Sequence, residues 1–380
     1  MLNASNPRPA PHPRIRVLVV DDSVVIRKIL SDALRNDPEI EVIGTASNGL
    51  IALQRIAQLS PDIVTLDIEM PEMDGIATLR EIKRQFPRTR VIMCSTLTER
   101  GASITIEALS LGADDYLTKS SGQSGVNAME NLHGQLIPKV KQFFHRETGP
   151  ASSRPGPGLR QVAGRELTAV RTLARPTTVR PVSNALPRTR QGPPKAVAIG
   201  VSTGGPNALA EVIPMLPKDF PLPVFVVQHM PPMFTRLLAE RLQSQSKVKV
   251  VEAQEGMRVT AGYVYIAPGD YHMVLAKTGG SVLIHLNQGP MENSCRPAVD
   301  VLFRSVGEVY GGATISAILT GMGQDGLRGV EQLRALGGYV IAQDEASSVV
   351  WGMPGFVARA GLADVVCDLK QVTPEIVRHL

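Results

Sequence analysis

Short apolar runs alternate with amphipathic stretches along nearly the whole chain. In the first part, runs at 15–20, 41–44, 63–66 and 91–94 read as strands, and the short run 116–117 completes the alternation. Between them, the stretches at 24–34, at 50–59 and around 104–111, and a last one ending near Phe143 and Phe144, repeat their apolar residues at helical spacing. This alternation predicts a doubly wound sheet of five parallel strands, because a parallel neighbour needs a long crossover to start from the same end. The pattern resumes at 196–201, followed by a helix at 207–216, a strand at 223–228 and a helix around 234–242. Its texture then changes: Val259, 263–267, 272–275 and 282–286 alternate around Thr278-Gly279-Gly280, which has the form of a hairpin. The βα pattern then resumes with helix 298–309, strand 313–319, helix 327–336 and strand 339–342. The second half is thus expected to be α/β as well, a mostly parallel sheet with an antiparallel hairpin.

Between the two patterned regions the hydrophobic signal lapses. Seven prolines fall between Pro155 and Pro194, and large apolar residues are few, so this stretch cannot build a core. The division that follows is one α/β domain over 15–146, an Arg/Pro-rich linker over 147–194 and a second domain over 195–380. A length of 380 residues fits two cores better than one. The formal net charge of +5 invites a nucleic-acid reading, but the charge is local. Residues 151–195 hold eight Arg and one Lys against one Glu, so the rest of the chain is slightly acidic. The stretch reads as a solvated tether, with an acidic partner as the alternative. No helix-turn-helix, zinc or heptad pattern supports nucleic acid. No apolar run reaches the roughly 18 to 20 residues of a membrane span, and residues 1–14 lack the apolar segment of a signal peptide. A cytoplasmic protein without direct membrane insertion is expected. Cys94, Cys295 and Cys367 are far apart and odd in number, which fits reduced thiols.

In doubly wound sheets the chemistry gathers at the carboxyl ends of the strands. In the first domain those ends carry Asp21 and Asp22, then Asp67, Ser95 and Lys119. Helix capping could account for Asp21, Asp22 or Asp74 singly, but not for two acids, an acid, a hydroxyl and a lysine at successive ends. Carboxylates brought together repel unless a cation joins them, and hard oxygen ligands suit Mg²⁺. Such an ion would also neutralise a phosphoryl group approaching a carboxylate nucleophile.

In the second domain Gly200-Val201-Ser202-Thr203-Gly204 fits the G-x-S-x-G elbow that exposes a serine at a strand end. The pentapeptide alone serves equally well as a Gly/Ser-rich turn that cradles a phosphate. It is neither a P-loop nor a G-x-G-x-x-G fingerprint. A nucleophilic serine needs a base and a carboxylate to orient it. Of seven histidines only His229 directly follows a predicted parallel strand; His12, His133, His145, His272, His285 and His379 lie elsewhere. For the carboxylate, Asp325 in Gly321-Met322-Gly323-Gln324-Asp325-Gly326 follows a parallel strand, whereas its rival Asp270 leads into an antiparallel one. The order Ser202, His229, Asp325 is not the Ser, Asp, His order of the α/β-hydrolases.

On these residues, 15–146 resembles a response-regulator receiver domain of flavodoxin-like fold. The resemblance implies that Asp67 accepts a phosphoryl group from a histidine kinase. It also implies that Asp22, Asp67 and the carbonyl of Glu69 ligate Mg²⁺, with Asp21 acting mostly through water. Lys119 would bind the phosphoryl group, and Ser95 with Tyr116 would form the switch pair. Ser120 departs from the proline usual after the family's lysine. From 196 onward the chain resembles the catalytic domain of the chemotaxis protein-glutamate methylesterases. The resemblance is carried by the serine elbow, Gln228-His229-Met230-Pro231-Pro232, Tyr265-Ile266-Ala267-Pro268-Gly269-Asp270, Arg296-Pro297, Val299-Asp300-Val301-Leu302-Phe303 and Leu319-Thr320-Gly321-Met322-Gly323-Gln324-Asp325-Gly326.

That family implies Ser202 as nucleophile, His229 as base, Asp325 as orienting acid and the amides of Thr203 and Met322 as oxyanion donors, with no cofactor in the esterase domain. The implied activity is hydrolysis of γ-glutamyl methyl esters and deamidation of glutamines on methyl-accepting chemoreceptors, with a chemotaxis histidine kinase as partner. It also implies that the unphosphorylated receiver covers the active site. Cys295 stands where a histidine is expected and Gln324 where asparagine is frequent, and neither is expected to touch the triad. The rival readings are a second domain that only binds a partner or nucleotide, and a hydrolase of another ester.

Overall fold

The computed structural model describes residues 14–96, 98–119, 126–144 and 192–380. Ser120, His12, His145 and nearly all of the Arg/Pro-rich stretch lie outside them. The first sheet contains β1 (Ile15–Val20), β2 (Ile40–Ala46), β3 (Ile63–Asp67), β4 (Arg90–Thr96) and β5 (Asp115–Lys119). All are parallel, in the order β2-β1-β3-β4-β5. Helices α1 (Val24–Arg35), α2 (Gly49–Leu59), α3 (Gly75–Gln85), α4 (Glu99–Ser110) and α5 (Val126–Lys141) connect and cover it. The sequence pattern left α3 unmarked. Apart from Ala77 its apolar side chains are Ile76, Leu79 and Ile82, set among four charged residues, so its buried stripe is narrow.

The second sheet has seven parallel strands. They are β6 (Ala196–Val201), β7 (Val224–Gln228), β8 (Lys249–Glu252), β9 (Tyr263–Ile266), β12 (Thr314–Ile318), β13 (Tyr339–Gln343) and β14 (Val365–Cys367). Their order is β14-β13-β12-β6-β7-β9-β8. Every residue of β6, β7 and β12 is buried, as expected for strands covered on both faces. The helices are α6 (Gly205–Val212), α7 (Phe234–Gln245), α8 (Val299–Tyr310), α9 (Leu327–Ala335), α10 (Met353–Arg359) and α11 (Leu369–Arg378).

The hairpin is β10 (His272–Thr278) with β11 (Ser281–Asn287), a separate two-stranded sheet turned by Gly279 and Gly280, both at positive φ. Residues 263–267 do not belong to it, contrary to the pattern-based expectation. Val264, Tyr265 and Ile266 are buried, and β9 pairs in parallel with β7 and β8. Strand β8 was not expected, because at four residues it is too short to show a period.

The two units touch. Helix α4 packs on α6 and α7, and Tyr116 of β5 stacks on Phe234 of α7 with ring centroids 5.1 Å apart. Arg241 Nη1 donates to the carbonyl of Ile106 at 2.6 Å, and Arg236 pairs with Glu99. Among the described residues no helix is long and apolar enough to cross a membrane.

Candidate active site

The three adjacent central strands β12, β6 and β7 each deliver one group at the carboxyl edge. Ser202 immediately follows β6, His229 immediately follows β7, and Asp325 lies in the loop between β12 and α9. Backbone bonds lace these ends together: His229 N donates to Val201 O at 3.2 Å and Ser202 N to Thr320 O at 3.0 Å. Gln228 Nε2 donates to the carbonyls of both Ser202 and His229, at 3.0 and 3.2 Å. Two glycines make the serine turn possible. Gly204 sits at φ 77°, and a Cβ on Gly205 would come within 1.9 Å of Gln228 Oε1.

His229 Nε2 and Asp325 Oδ2 are 2.8 Å apart. The amino end of α8 holds that carboxylate in turn: Val299 N donates to Oδ2 at 2.7 Å, and Asp300 N donates to Oδ1 at 3.1 Å. Gly326 N and Asn293 Nδ2 add bonds to Oδ1 of 3.0 and 2.9 Å. Burial alone would raise the Asp325 carboxyl, but His229 and the α8 amides hold it below the usual range. Burial alone would lower His229, yet its bonds to Asp325 and Cys295 push it up to about 10. Burial raises neighbouring Asp300, and Asn293 Nδ2, by bonding Asp300 Oδ2 at 3.0 Å as well, bridges the two acids.

Cys295 corrects the expectation that it stays clear of the triad, since its Sγ lies 3.6 Å from His229 Nδ1. Loop 288–298 folds back over the strand ends, a long-range return that the local sequence does not announce. Gln324 is exposed. Asp270, the rival acid, binds Arg296 and Gln288 instead. Among the other described histidines, His272 bridges the amide of Ala298 and the carbonyl of Pro290, and His285 meets Glu255. Ser202 Oγ makes no hydrogen bond to His229 among the described residues. The two line one cavity of about 40 Å³ with Thr203, Gln228 and the first domain's Asp115, Tyr116 and Lys139. Met322 is exposed and borders a cavity of about 670 Å³ together with Trp351, Arg359 and residues 141–144.

Four residues of the site escaped sequence reasoning: Asn293, Asp300, Gln228 and Gln142. Gln228 and Asp300 fall inside quoted motifs. Asn293 and Gln142 carry no local signal, because each acts on a partner far away in sequence.

At the first sheet, Asp21, Asp22 and Asp67 bring carboxylate oxygens to within 4.8 Å of one another. Lys119 Nζ lies 2.7 Å from both Asp21 Oδ2 and Asp67 Oδ1. Burial raises Asp67 despite that lysine. Lys119 is also raised, because Asp67 and Asp21 outweigh its own burial. An all-oxygen donor set with one cationic neighbour fits a hard divalent ion. Ser95 Oγ donates to Gly101 O at 3.0 Å, Tyr116 faces α7, and the Glu69 side chain is exposed near Arg100. Asp74 is an ordinary cap, accepting from Ala77 N.

A family model described as CheB methylesterase matches residues 197–376, and one described as response regulator receiver domain matches residues 17–129. The protein-glutamate methylesterase/protein-glutamine glutaminase of Trichodesmium erythraeum (strain IMS101) is 46% identical over 369 residues, covering 97% of this chain and 99% of its own. Its namesake from Nocardioides sp. (strain ATCC BAA-499 / JS614) is 49% identical over 369 residues, covering 97% and 96%. The solved CheB methylesterase catalytic domain of Thermotoga maritima is 46% identical and covers 49% of this chain and 99% of that domain, with a TM-score of 0.49.

Proposed function

The chain belongs to the CheB methylesterase family in its receiver-bearing form, and from that premise we propose which residues perform the chemistry. The activity is that of a protein-glutamate methylesterase and protein-glutamine glutaminase in chemotaxis signalling, under receiver control. A kinase partner and a chemoreceptor substrate follow in general terms.

In our reading Ser202 Oγ attacks the side-chain carbonyl of a methylated glutamate or a glutamine. Because His229 Nε2 is committed to Asp325, the proton passes to Nδ1, and the Cys295 thiol must yield that position. Asp325 stabilises the imidazolium that results. The amides of Thr203 and Met322 bind the oxyanion, each donor contributing about 3 kcal/mol to the transition state. His229 returns the proton to departing methanol or ammonia. Water, deprotonated by the same nitrogen, then cleaves the acyl-enzyme to free glutamate and Ser202. The observation that carries this reading is the 2.8 Å His229–Asp325 bond at strand ends flanking Ser202; serine and base close up only when substrate arrives.

The first domain, which matches the receiver family model and brings three carboxylates together, is in our reading the site that takes Mg²⁺ for phosphorylation. Here Asp22, Asp67 and the Glu69 carbonyl would hold the ion, with Asp21 acting through water. When bound, the ion neutralises charge on a phosphoryl group bound for Asp67. Lys119 orients that group, and Ser95 and Tyr116 report its presence. We assign the receiver to 15–146, the tether to 147–194 and the esterase to 195–380.

The test is methanol release from a methylated receptor. Ser202→Ala should lower it by at least about 10⁴-fold while leaving phosphorylation of Asp67 unchanged. Substantial release by that variant would sink the nucleophile assignment.

A further inference from the structure

The hydroxyl of Thr203, the residue after the nucleophile, donates at 3.0 Å to Oε1 of Gln142. Gln142 belongs to the receiver half, one residue beyond α5. Chemistry fixes which end of its carboxamide faces which partner. The Asp115 carboxylate only accepts, so Gln142 Nε2 must face it, at 2.9 Å, and the carbonyl oxygen must face Thr203. Asp115 is buried and also takes Lys139 Nζ and Tyr116 N, each at 2.8 Å. The carboxamide is therefore held out from a fixed support.

Beside Asp115, Tyr116 and Lys139, the receiver thus sets against the residue next to the nucleophile a glutamine side chain, one of the two functional groups the enzyme hydrolyses. We propose that Gln142 is an internal occupant of the substrate side-chain subsite, and that Thr203 Oγ1 recognises the carbonyl oxygen of a glutaminyl carboxamide or glutamyl methyl ester there. The inference rests on the reading of Ser202 as nucleophile and of these side chains as substrates. It goes beyond coverage of the site by a neighbouring domain, because it names the group that fills the subsite.

The occupant is spared for geometric reasons. Its amide nitrogen, the leaving group of a deamidation, is tied to Asp115. The outer nitrogen of His229 faces Cys295 rather than the carboxamide. Strand β5 also links the support to the phosphorylation site, with Asp115 at its first residue and Lys119, bonded to Asp67, at its last.

An internal occupant competes with substrate, so its removal should lower KM and leave kcat unchanged. The full-length unphosphorylated chain is compared with Gln142→Ala and with Gln142→Met, which keeps the length but not the carboxamide. Loss of one partly buried hydrogen bond should lower KM for a methylated receptor about three- to tenfold. Labelling of Ser202 by a fluorophosphonate should accelerate by a similar factor. Unchanged KM and labelling in both variants would overturn the proposal, as would an altered kcat at constant KM, which would make Gln142 a positioning residue. If the receptor ester is not the substrate, every chain fails alike in methanol release, while the labelling rates still report on Gln142.

Discussion

His229 is gripped from both sides, by Asp325 at Nε2 and by Cys295 at Nδ1, and both contacts favour its charged form. A base must be neutral to take the serine proton, so activity rises as pH climbs through the imidazole pKa. Raising that pKa moves the acid limb upward. Cys295→Ala removes one of the two supports and should shift the acid limb of kcat/KM to lower pH; a limb that stays in place would show that the thiol does not tune the base. The raised pKa also has a consequence for stability. Its contribution is full below the ordinary value of 6.5 and is lost by about 10, as the folded imidazole deprotonates. The strand-end position of His229 was legible, because it alone among the histidines directly follows a predicted parallel strand. The role of Cys295 was not, because a sulfur 66 positions from its imidazole acquires meaning only through a loop that doubles back.

At the scale of elements, helix α8 ties catalysis to stability. Its N-cap residue, Ala298, offers no side-chain acceptor, and the first-turn amides of Val299 and Asp300 find theirs on Asp325. Asp325, the proposed orienting acid, is thus also a cap supplied from the β12–α9 loop. Asp325→Asn keeps an acceptor for those amides, whereas Asp325→Ala leaves them without one. Both variants should lose activity, but in denaturant unfolding at neutral pH the alanine variant should be less stable than the asparagine variant by about 1 to 2 kcal/mol. Equal stabilities would remove the capping role. Strand-end reasoning favoured Asp325 over Asp270. That the acid also closes a helix depends on where α8 starts in space, which its apolar period does not say.

For the molecule as a whole, the receiver half lies against the esterase half through α4, α6 and α7, with Tyr116 stacked on Phe234 and Arg241 bonded to the Ile106 carbonyl. These contacts hold Gln142 beside Thr203. Arg241→Ala removes a charge-assisted bond remote from the triad and should raise methanol release by the unphosphorylated chain severalfold, with little change in the phosphorylated one. Loss of activity in both states would instead make Arg241 a support of α7. Burial lowers the Arg241 pKa, but a guanidinium stays protonated in proteins, so the contact should persist across the working pH range.

The sequence alone determined two parallel α/β sheets, the acid, hydroxyl and lysine groups at the first, and Ser202, His229 and Asp325 at the second. Hydrophobic period and strand-end position are local properties, and they sufficed to place these residues at or beyond the carboxyl ends of strands. Only the tertiary structure decided that β12, β6 and β7 are neighbours, that Cys295 and Asn293 return to His229 and Asp325, and that Gln142 reaches Thr203 from the other half. Those are meetings between positions tens of residues apart, fixed by strand order, loop path and domain docking, which no local pattern of apolar and polar residues encodes.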